Sequence, residues 1–268
     1  MNKNGVAGHR TQTFYVLGNG PSLTPRIIQS LPDGQWLGMN AAFRYWQTIG
    51  KYPRYYACLD PVVVKSQFDG IRSLLERPEI EAFFLHDCVV ELDKSLSSHS
   101  KVTLLSNFVA NQDLSVPLSR LALQKQTTGA LASRFVIERG HRDLMLIGID
   151  CKYVERLAES AQTQGIELVI TKQVDNNPNY FFSGYQATGD KYQVPNPAVH
   201  TGNLHLQSFI ALQQDLDDSE VDARITVGSQ RSLLSRFGVF PTVSIWKALN
   251  IRRIGAVAVP LTPGEWRR

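Results

Sequence analysis

The sequence predicts an α/β fold, a Rossmann-like, mainly parallel sheet flanked by helices, and three observations point to it. Short apolar runs alternate with helix-like segments over most of the 268 residues. The first run, Phe14 to Leu17, breaks off in the two-glycine turn Gly18-Asn19-Gly20 just before a helix-start signal. Asn19, Asn40, Asp60 and Asp150 each stand where such a run gives way to a loop, as polar residues do on the ligand-binding edge of a parallel sheet.

Taken in order, strands are expected at Phe14 to Leu17, Gln35 to Met39, Tyr55 to Leu59, Ala82 to His86, Val102 to Leu105, Leu144 to Ile149, Leu168 to Thr171 and Arg224 to Val227. Between them, helical patterns cover Thr24 to Ser30, Ala41 to Ile49, Val62 to Glu76, Thr128 to Arg139, Tyr153 to Gln164, Gly202 to Gln214 and Thr242 to Leu249. The exception is Val174 to Val199, rich in Asn, Pro, Gly and Tyr and without helical or strand period. A structureless stretch of that length in a compact domain reads as a binding loop or lid, and its Tyr180, Phe181, Phe182, Tyr185 and Tyr192 suit one that folds over a site. The expected organisation is a loosely ordered segment 1–13, one domain over 14–250 and a tail at 251–268.

Composition bounds the function. With 43% hydrophobic residues the chain can bury one substantial core. Its net charge of +4 is scattered rather than gathered into basic runs, which disfavours a nucleic-acid surface and suits an anionic small substrate. Cys58, Cys88 and Cys151 lie far apart without a CxxC pair, so neither a disulfide framework nor a zinc site is expected, and a reducing compartment is. The polar N-terminus MNKNGVAGHRTQT lacks the apolar centre of a signal peptide, and a cytoplasmic location follows as the expectation. The tail reads first as a frayed terminus; its four arginines and Trp266 also suit peripheral contact with an anionic membrane.

The glycine turn has two familiar relatives, and both fail. A dinucleotide site asks for three spaced glycines and an acidic residue closing the second strand, but the turn is Gly-Asn-Gly-Pro-Ser and Asn40 follows Trp36 to Met39. A P-loop asks for a glycine-lysine-serine or -threonine step, which is missing. What remains is a strand, a turn whose glycines let backbone N–H groups approach an anion, and helix-start residues Pro21, Ser22 and Thr24. Asn19 and Asn40 can read a base or ribose through paired donors and acceptors, and Asp60 or Asp150 can hold a hydroxyl or a metal. Singly, each is equally a helix cap or an Asx turn. Lys125, Thr127, Thr128 and Gly129, in KQTTG before a helix, make a second anion-friendly turn. His200, at the end of the long loop, is a general-base candidate and, read alone, equally a surface histidine.

These motifs taken together, GNGPSL, Asn40, KQTTG, LMLIGID, His200 before a helix and RSLLSRF, resemble in order and approximate spacing the bacterial sialyltransferases of glycosyltransferase family 42, over about residues 14 to 237. GPSL, YPRYYACLDP and GID are equally similar to the domain of the MptE-like 6-hydroxymethylpterin diphosphokinases, a group that also looks related to flagellin nonulosonic-acid transferases and more distantly to Kdo transferases. The first resemblance implies an inverting, metal-independent transfer from a CMP-activated sugar to a glycan acceptor in surface polysaccharide assembly, without a cofactor; a homo-oligomer is compatible with it. It implies that Asn19, Ser22 and Asn40 hold nucleotide and sugar, beside Gly18 and Gly20 of the anion-approaching turn, that Thr127, Thr128 and Gly129 line ribose and phosphate, and that Lys125 stands near the place of an active-site arginine. It also implies that His200 deprotonates the acceptor hydroxyl.

Two departures from that family matter. Lys152 replaces a tyrosine that holds the departing phosphate, with Tyr153 next to it, and a later tyrosine is missing; Lys152, or Tyr180, Tyr185 or Tyr192 from the long loop, could supply that stabilisation instead. Asp60 replaces an Asn near the donor, and a carboxylate beside phosphate needs a partner or a metal. The diphosphokinase resemblance implies instead pyrophosphoryl transfer from ATP with Mg²⁺ on Asp60 and Asp150. A sugar-nucleotide binding module without catalysis would keep Asn19 and Asn40 and make His200 dispensable.

Overall fold

The computed structural model describes residues 12–111, 127–154, 156–194, 202–219 and 221–249. Ten strands appear among them: β1 Phe14–Leu17, β2 Trp36–Met39, β3 Tyr55–Cys58, β4 Ala82–Leu85, β5 Val102–Leu104, β6 Asp143–Ile147, β7 Ser160–Gln162, β8 Glu167–Ile170, β9 Lys191–Gln193 and β10 Arg224–Val227. Seven form one sheet in the order β10-β6-β1-β2-β3-β4-β5, with every pairing parallel. The chain builds outward from β1 to β5 and then returns to β6 on the other side of β1. The order therefore reverses between β1 and β6, where open α/β sheets place their ligand crevice.

Near-continuous apolar strands such as Phe14-Tyr15-Val16-Leu17 are what a sheet covered on both faces requires. Successive side chains divide between two cores. Phe14, Val16, Ala57 and Phe84 face helices Thr128–Glu138 and Leu204–Asp217, while Tyr15, Leu17, Tyr56 and Phe83 face helices Pro25–Ser30, Phe43–Ile49 and Phe68–Leu75. Trp36 and Trp46 meet edge to face at 5.5 Å in the second core, a packing geometry worth about 0.5–1.5 kcal/mol beyond their burial. The expected mainly parallel sheet and its flanking helices are therefore present.

Three local readings need correction. Among the described residues of 153–164 there is no helix; β7 lies there, turned back by Gly165 (φ +57) into an antiparallel pairing with β8. The stretch Ser160 to Gly165 has no apolar residue besides Ala161 to hold a helix against a core. The expected strand at Leu168 accordingly belongs to a separate three-stranded antiparallel sheet, β7-β8-β9. The loop 174–199 is not structureless, since it contains a 3-10 turn at Ser183–Tyr185 and β9, which joins that small sheet. Finally, the helix expected over Val62 to Glu76 divides at Gln67 into Pro61–Ser66 and Phe68–Leu75. Gln67 leaves helical dihedrals (φ −110, ψ 15) and its buried amide donates to Asp190 at 2.9 Å.

Candidate functional site

A cavity of about 480 Å³ opens at the C-terminal ends of β1, β2, β3, β4 and β6, a size suited to a small organic ligand. Asn19, Asn40, Asp60 and Asp150 all line it, with Gly18, Gly20, Thr127, Thr128, Gly129, Lys152, Tyr153, Tyr180 and Tyr185. Ser22 stands behind that wall, its N–H donating to Asp150 Oδ2 at 2.9 Å. Lys125 and His200, like residues 1–11 and the tail from 250 onward, lie outside the described residues.

The glycine turn differs in its chemistry from the sequence reading. The Gly18 and Gly20 N–H groups donate to the carbonyls of Ile147 and Gly148, each at 2.8 Å, so neither is offered to an anion. Glycine is required because the loop after β6 comes so close. A methyl group on Gly18 would overlap the Gly148 carbonyl oxygen and lie 2.7 Å from Ile149 Cγ1, and one on Gly20 would overlap Asp150 Oδ2. Asn19 ties the turn to the rest of the wall. Its amide donates to the Tyr185 hydroxyl (3.0 Å) and the Met39 carbonyl (3.3 Å), and its carbonyl accepts the Phe181 N–H at 3.0 Å.

Positive φ outside glycine occurs at two described residues, Asn40 (φ 54) and Cys151 (φ 52), and both line the cavity. Such backbone strain of about 1–3 kcal/mol per residue persists where surrounding structure imposes it, and it gathers at functional sites. At Asn40 the carbonyl accepts the Tyr56 hydroxyl at 3.0 Å, and Oδ1 is buried with no partner among the described residues. Asp150 Oδ1 and Thr127 Oγ1 are in the same position. Buried polar atoms without partners are rare in folded proteins, and these three, with the Tyr192 hydroxyl, line one cavity and call for a ligand that satisfies them.

Thr127 occupies the N-cap of helix Thr128–Glu138, yet its side chain makes no capping bond. The positive end of this 11-residue helix therefore opens on the cavity, with Thr128 and Gly129 lining it. Lys152 is exposed at the rim and makes no ion pair among the described residues. Across from these groups the long loop contributes hydroxyls. Tyr180 stacks on Tyr185 (3.7 Å between centroids), and Tyr153 and Tyr180 share a hydrogen bond at 3.2 Å. Burial pushes Tyr180 and Tyr185 well above the ordinary phenol pKa, so both remain neutral hydroxyls.

That loop is latched by Asp190. Its carboxylate accepts two guanidinium bonds from Arg44, the Gln67 amide and the Ala187 N–H, while Arg44 also donates to the Tyr185 carbonyl at 2.8 Å. Asp60 and Asp150, which the diphosphokinase alternative would put on Mg²⁺, each make other bonds. Asp60 caps helix Pro61–Ser66, with Oδ1 accepting the Val62 and Val63 N–H groups at 2.8 and 3.2 Å. Burial raises its pKa, while those bonds, the Gln193 side chain and His86 act to lower it. Among the described residues no three His, Cys, Asp or Glu side chains gather as a metal would require. Cys151, with burial pushing its thiol up to about 12, is not poised as a nucleophile.

Sequence reasoning passed over two cavity histidines, His86 and His205. His86 Nδ1 accepts the Cys88 N–H at 3.1 Å, which leaves Nε2 as the protonated nitrogen of the neutral ring. His86 closes β4 as Asp60 closes β3, so its place at the strand edge was the available signal. His205 falls within a helical pattern and gave none.

The fold has a relative among solved structures. It is shared with a sialyltransferase. The structure of CstII from Campylobacter jejuni, in complex with the substrate analogue cytidine-5'-monophosphate, matches with a TM-score of 0.50 and 16% identity over 89% of this chain and 87% of that one. The MAf glycosyltransferase of Magnetospirillum magneticum AMB-1 gives a TM-score of 0.44 at 14% identity, over 88% of this chain and 34% of that one. No family model and no curated protein sequence matches. Among the described residues no helix is long and apolar enough to cross a membrane.

Proposed function

We propose that this protein is an inverting, metal-independent glycosyltransferase that transfers a nonulosonic acid or Kdo from its CMP-activated form to a glycan acceptor, at the cytoplasmic stage of surface polysaccharide assembly. The observation that carries the reading is the uncapped start of helix Thr128–Glu138, which faces the cavity beside the unpartnered Thr127 Oγ1, Asn40 Oδ1 and Asp150 Oδ1. An anionic nucleotide satisfies that set. Its phosphate takes the positive helix end, and its ribose or base hydrogens reach the side-chain oxygens. The fold shared with a sialyltransferase supports the same assignment.

In this reading the acceptor hydroxyl attacks the anomeric carbon as its proton passes to His200, and the bond to phosphate breaks with the electron pair leaving on CMP. Charge appears on the phosphate as it departs. Helix Thr128–Glu138, Lys125, Lys152 and the hydroxyls of Tyr153 and Tyr180 stabilise it, in a cavity partly walled from water by the loop that Asp190 latches.

Asn40→Gly tests the nucleotide assignment cleanly. Glycine accepts the positive φ of this position without strain, so the substitution removes the amide and leaves the backbone undisturbed. CMP affinity is expected to fall about tenfold, the worth of one hydrogen bond, with little change in melting temperature. Unchanged CMP affinity in calorimetry would remove Asn40 from the nucleotide site.

A further inference from the structure

Helix Leu204–Asp217 also begins at the cavity. Asn203 caps it, accepting the Leu206 N–H at 2.9 Å, and the same amide donates to the Cys151 carbonyl at 2.6 Å. The first turn is thereby fastened to the loop that follows β6. His205 sits in that turn, lines the cavity and packs its ring against Tyr153 with centroids 5.9 Å apart. Neither of its ring nitrogens has a hydrogen-bond partner among the described residues. Also in the cavity wall is Tyr192, a residue 5% exposed whose hydroxyl is buried and without a partner among the described residues.

The charge of this imidazole follows from its surroundings. Burial alone holds it below the usual histidine range. Among the described titratable residues Tyr153 packs on the ring, and Asp150 and Lys152 beside Tyr153, with Tyr180 and Tyr192 from the long loop, line the same cavity. Of these, Asp150 is tied to the Ser22 N–H and its carbonyl to the Leu233 N–H, and none acts to raise His205. The ring also stands at the positive end of its own helix, which disfavours the imidazolium further. A neutral ring has one N–H to give. Taking up a proton here would place a charge near Lys152 and two helix N-termini, so this wall favours donation to an anion over acceptance of a proton.

We propose that His205 is a phosphate-binding residue, donating a hydrogen bond from its neutral imidazole to the phosphate of the nucleotide in the cavity. The assignment rests on the nucleotide-sugar reading and adds to it a donor on the helix opposite Thr127. It gives His205 a role distinct from the base role proposed for His200.

The test is calorimetric titration of wild type, His205→Ala and His205→Gln with CMP and with cytidine, which lacks the phosphate. CMP affinity is expected to drop about tenfold in His205→Ala and to recover to within about threefold in His205→Gln, whose amide offers an N–H at similar reach. Cytidine affinity is expected to be the same in all three. Equal losses for CMP and cytidine would mark a structural role and overturn the proposal, as would unaltered CMP affinity in His205→Ala or no recovery in His205→Gln. If wild type binds neither compound, the nucleotide reading fails, and the same proteins titrated with inorganic pyrophosphate decide the inference separately. Affinity that depends on His205 keeps the donor, and affinity that does not removes it.

Discussion

Gly18→Ala is expected to lower stability by on the order of 2–5 kcal/mol and to abolish binding in the cavity. The added methyl would overlap the Gly148 carbonyl oxygen and lie 2.7 Å from Ile149 Cγ1 and 2.9 Å from the Gly148 carbonyl carbon. Two of those three atoms are backbone, so a side-chain rotation cannot relieve the clash. Gly148 cannot retreat easily either. It holds φ +68, and its own position is so close that a Cβ there would lie 2.8 Å from the Gly18 carbonyl oxygen. Parting the loops would stretch the Gly18–Ile147 and Gly20–Gly148 hydrogen bonds, each worth about 0.5–1.5 kcal/mol, and carry Asn19 and Asp150 out of register across the cavity. For a chain of this size the loss corresponds to a fall of roughly 5–20 °C in melting temperature. Gly184→Ala is the control, since its methyl meets only ordinary contact at 3.5 Å and should melt close to wild type. A Gly18→Ala protein that melts with wild type would show that the two loops are not packed as described.

His200→Ala carries the largest expected effect on turnover, a loss of about 10²–10⁴-fold in kcat with CMP affinity nearly unchanged. The separation follows from the roles proposed. A base acts on the acceptor hydroxyl as the new bond forms, whereas the nucleotide is held by Asn40, Asp150 and the start of helix Thr128–Glu138. Single-turnover transfer from a CMP-sugar, measured beside CMP titration of the same variant, reads both quantities. Turnover retained within a few-fold would remove His200 from the base role, and lost CMP affinity would make it a binding residue instead.

The large sheet was legible because its strands are buried on both faces and therefore read as unbroken apolar runs bounded by turns. Seven of the eight expected strands belong to it, and their ends identified Asn19, Asn40, Asp60 and Asp150 as neighbours before any contact was known. The small sheet was not legible. Strands β7 and β9 are three residues each, too short for a period to show, and β9 is recruited by pairing with β8 rather than by its own propensity. The break at Gln67 depends on Asp190, 123 positions away, and no local pattern announces it. The glycine turn was recognised correctly as a site of close approach, but what approaches is the loop after β6, because the partner of a tight turn is a tertiary fact. His205 escaped notice for a related reason. Its ring partner, Tyr153, comes from the loop after β6, and within helix Leu204–Asp217 it is one polar residue among several.

Calorimetric titration with CMP, CDP, GDP, UDP and ATP, each in EDTA and then with Mg²⁺, tests most directly the proposed metal-free binding of a cytidine nucleotide in the cavity. CMP is expected to bind in EDTA, more tightly than the other nucleotides, with an affinity that Mg²⁺ leaves unchanged. Tight binding of ATP only when Mg²⁺ is present, as a diphosphokinase requires, or no binding of any of the five, would contradict it.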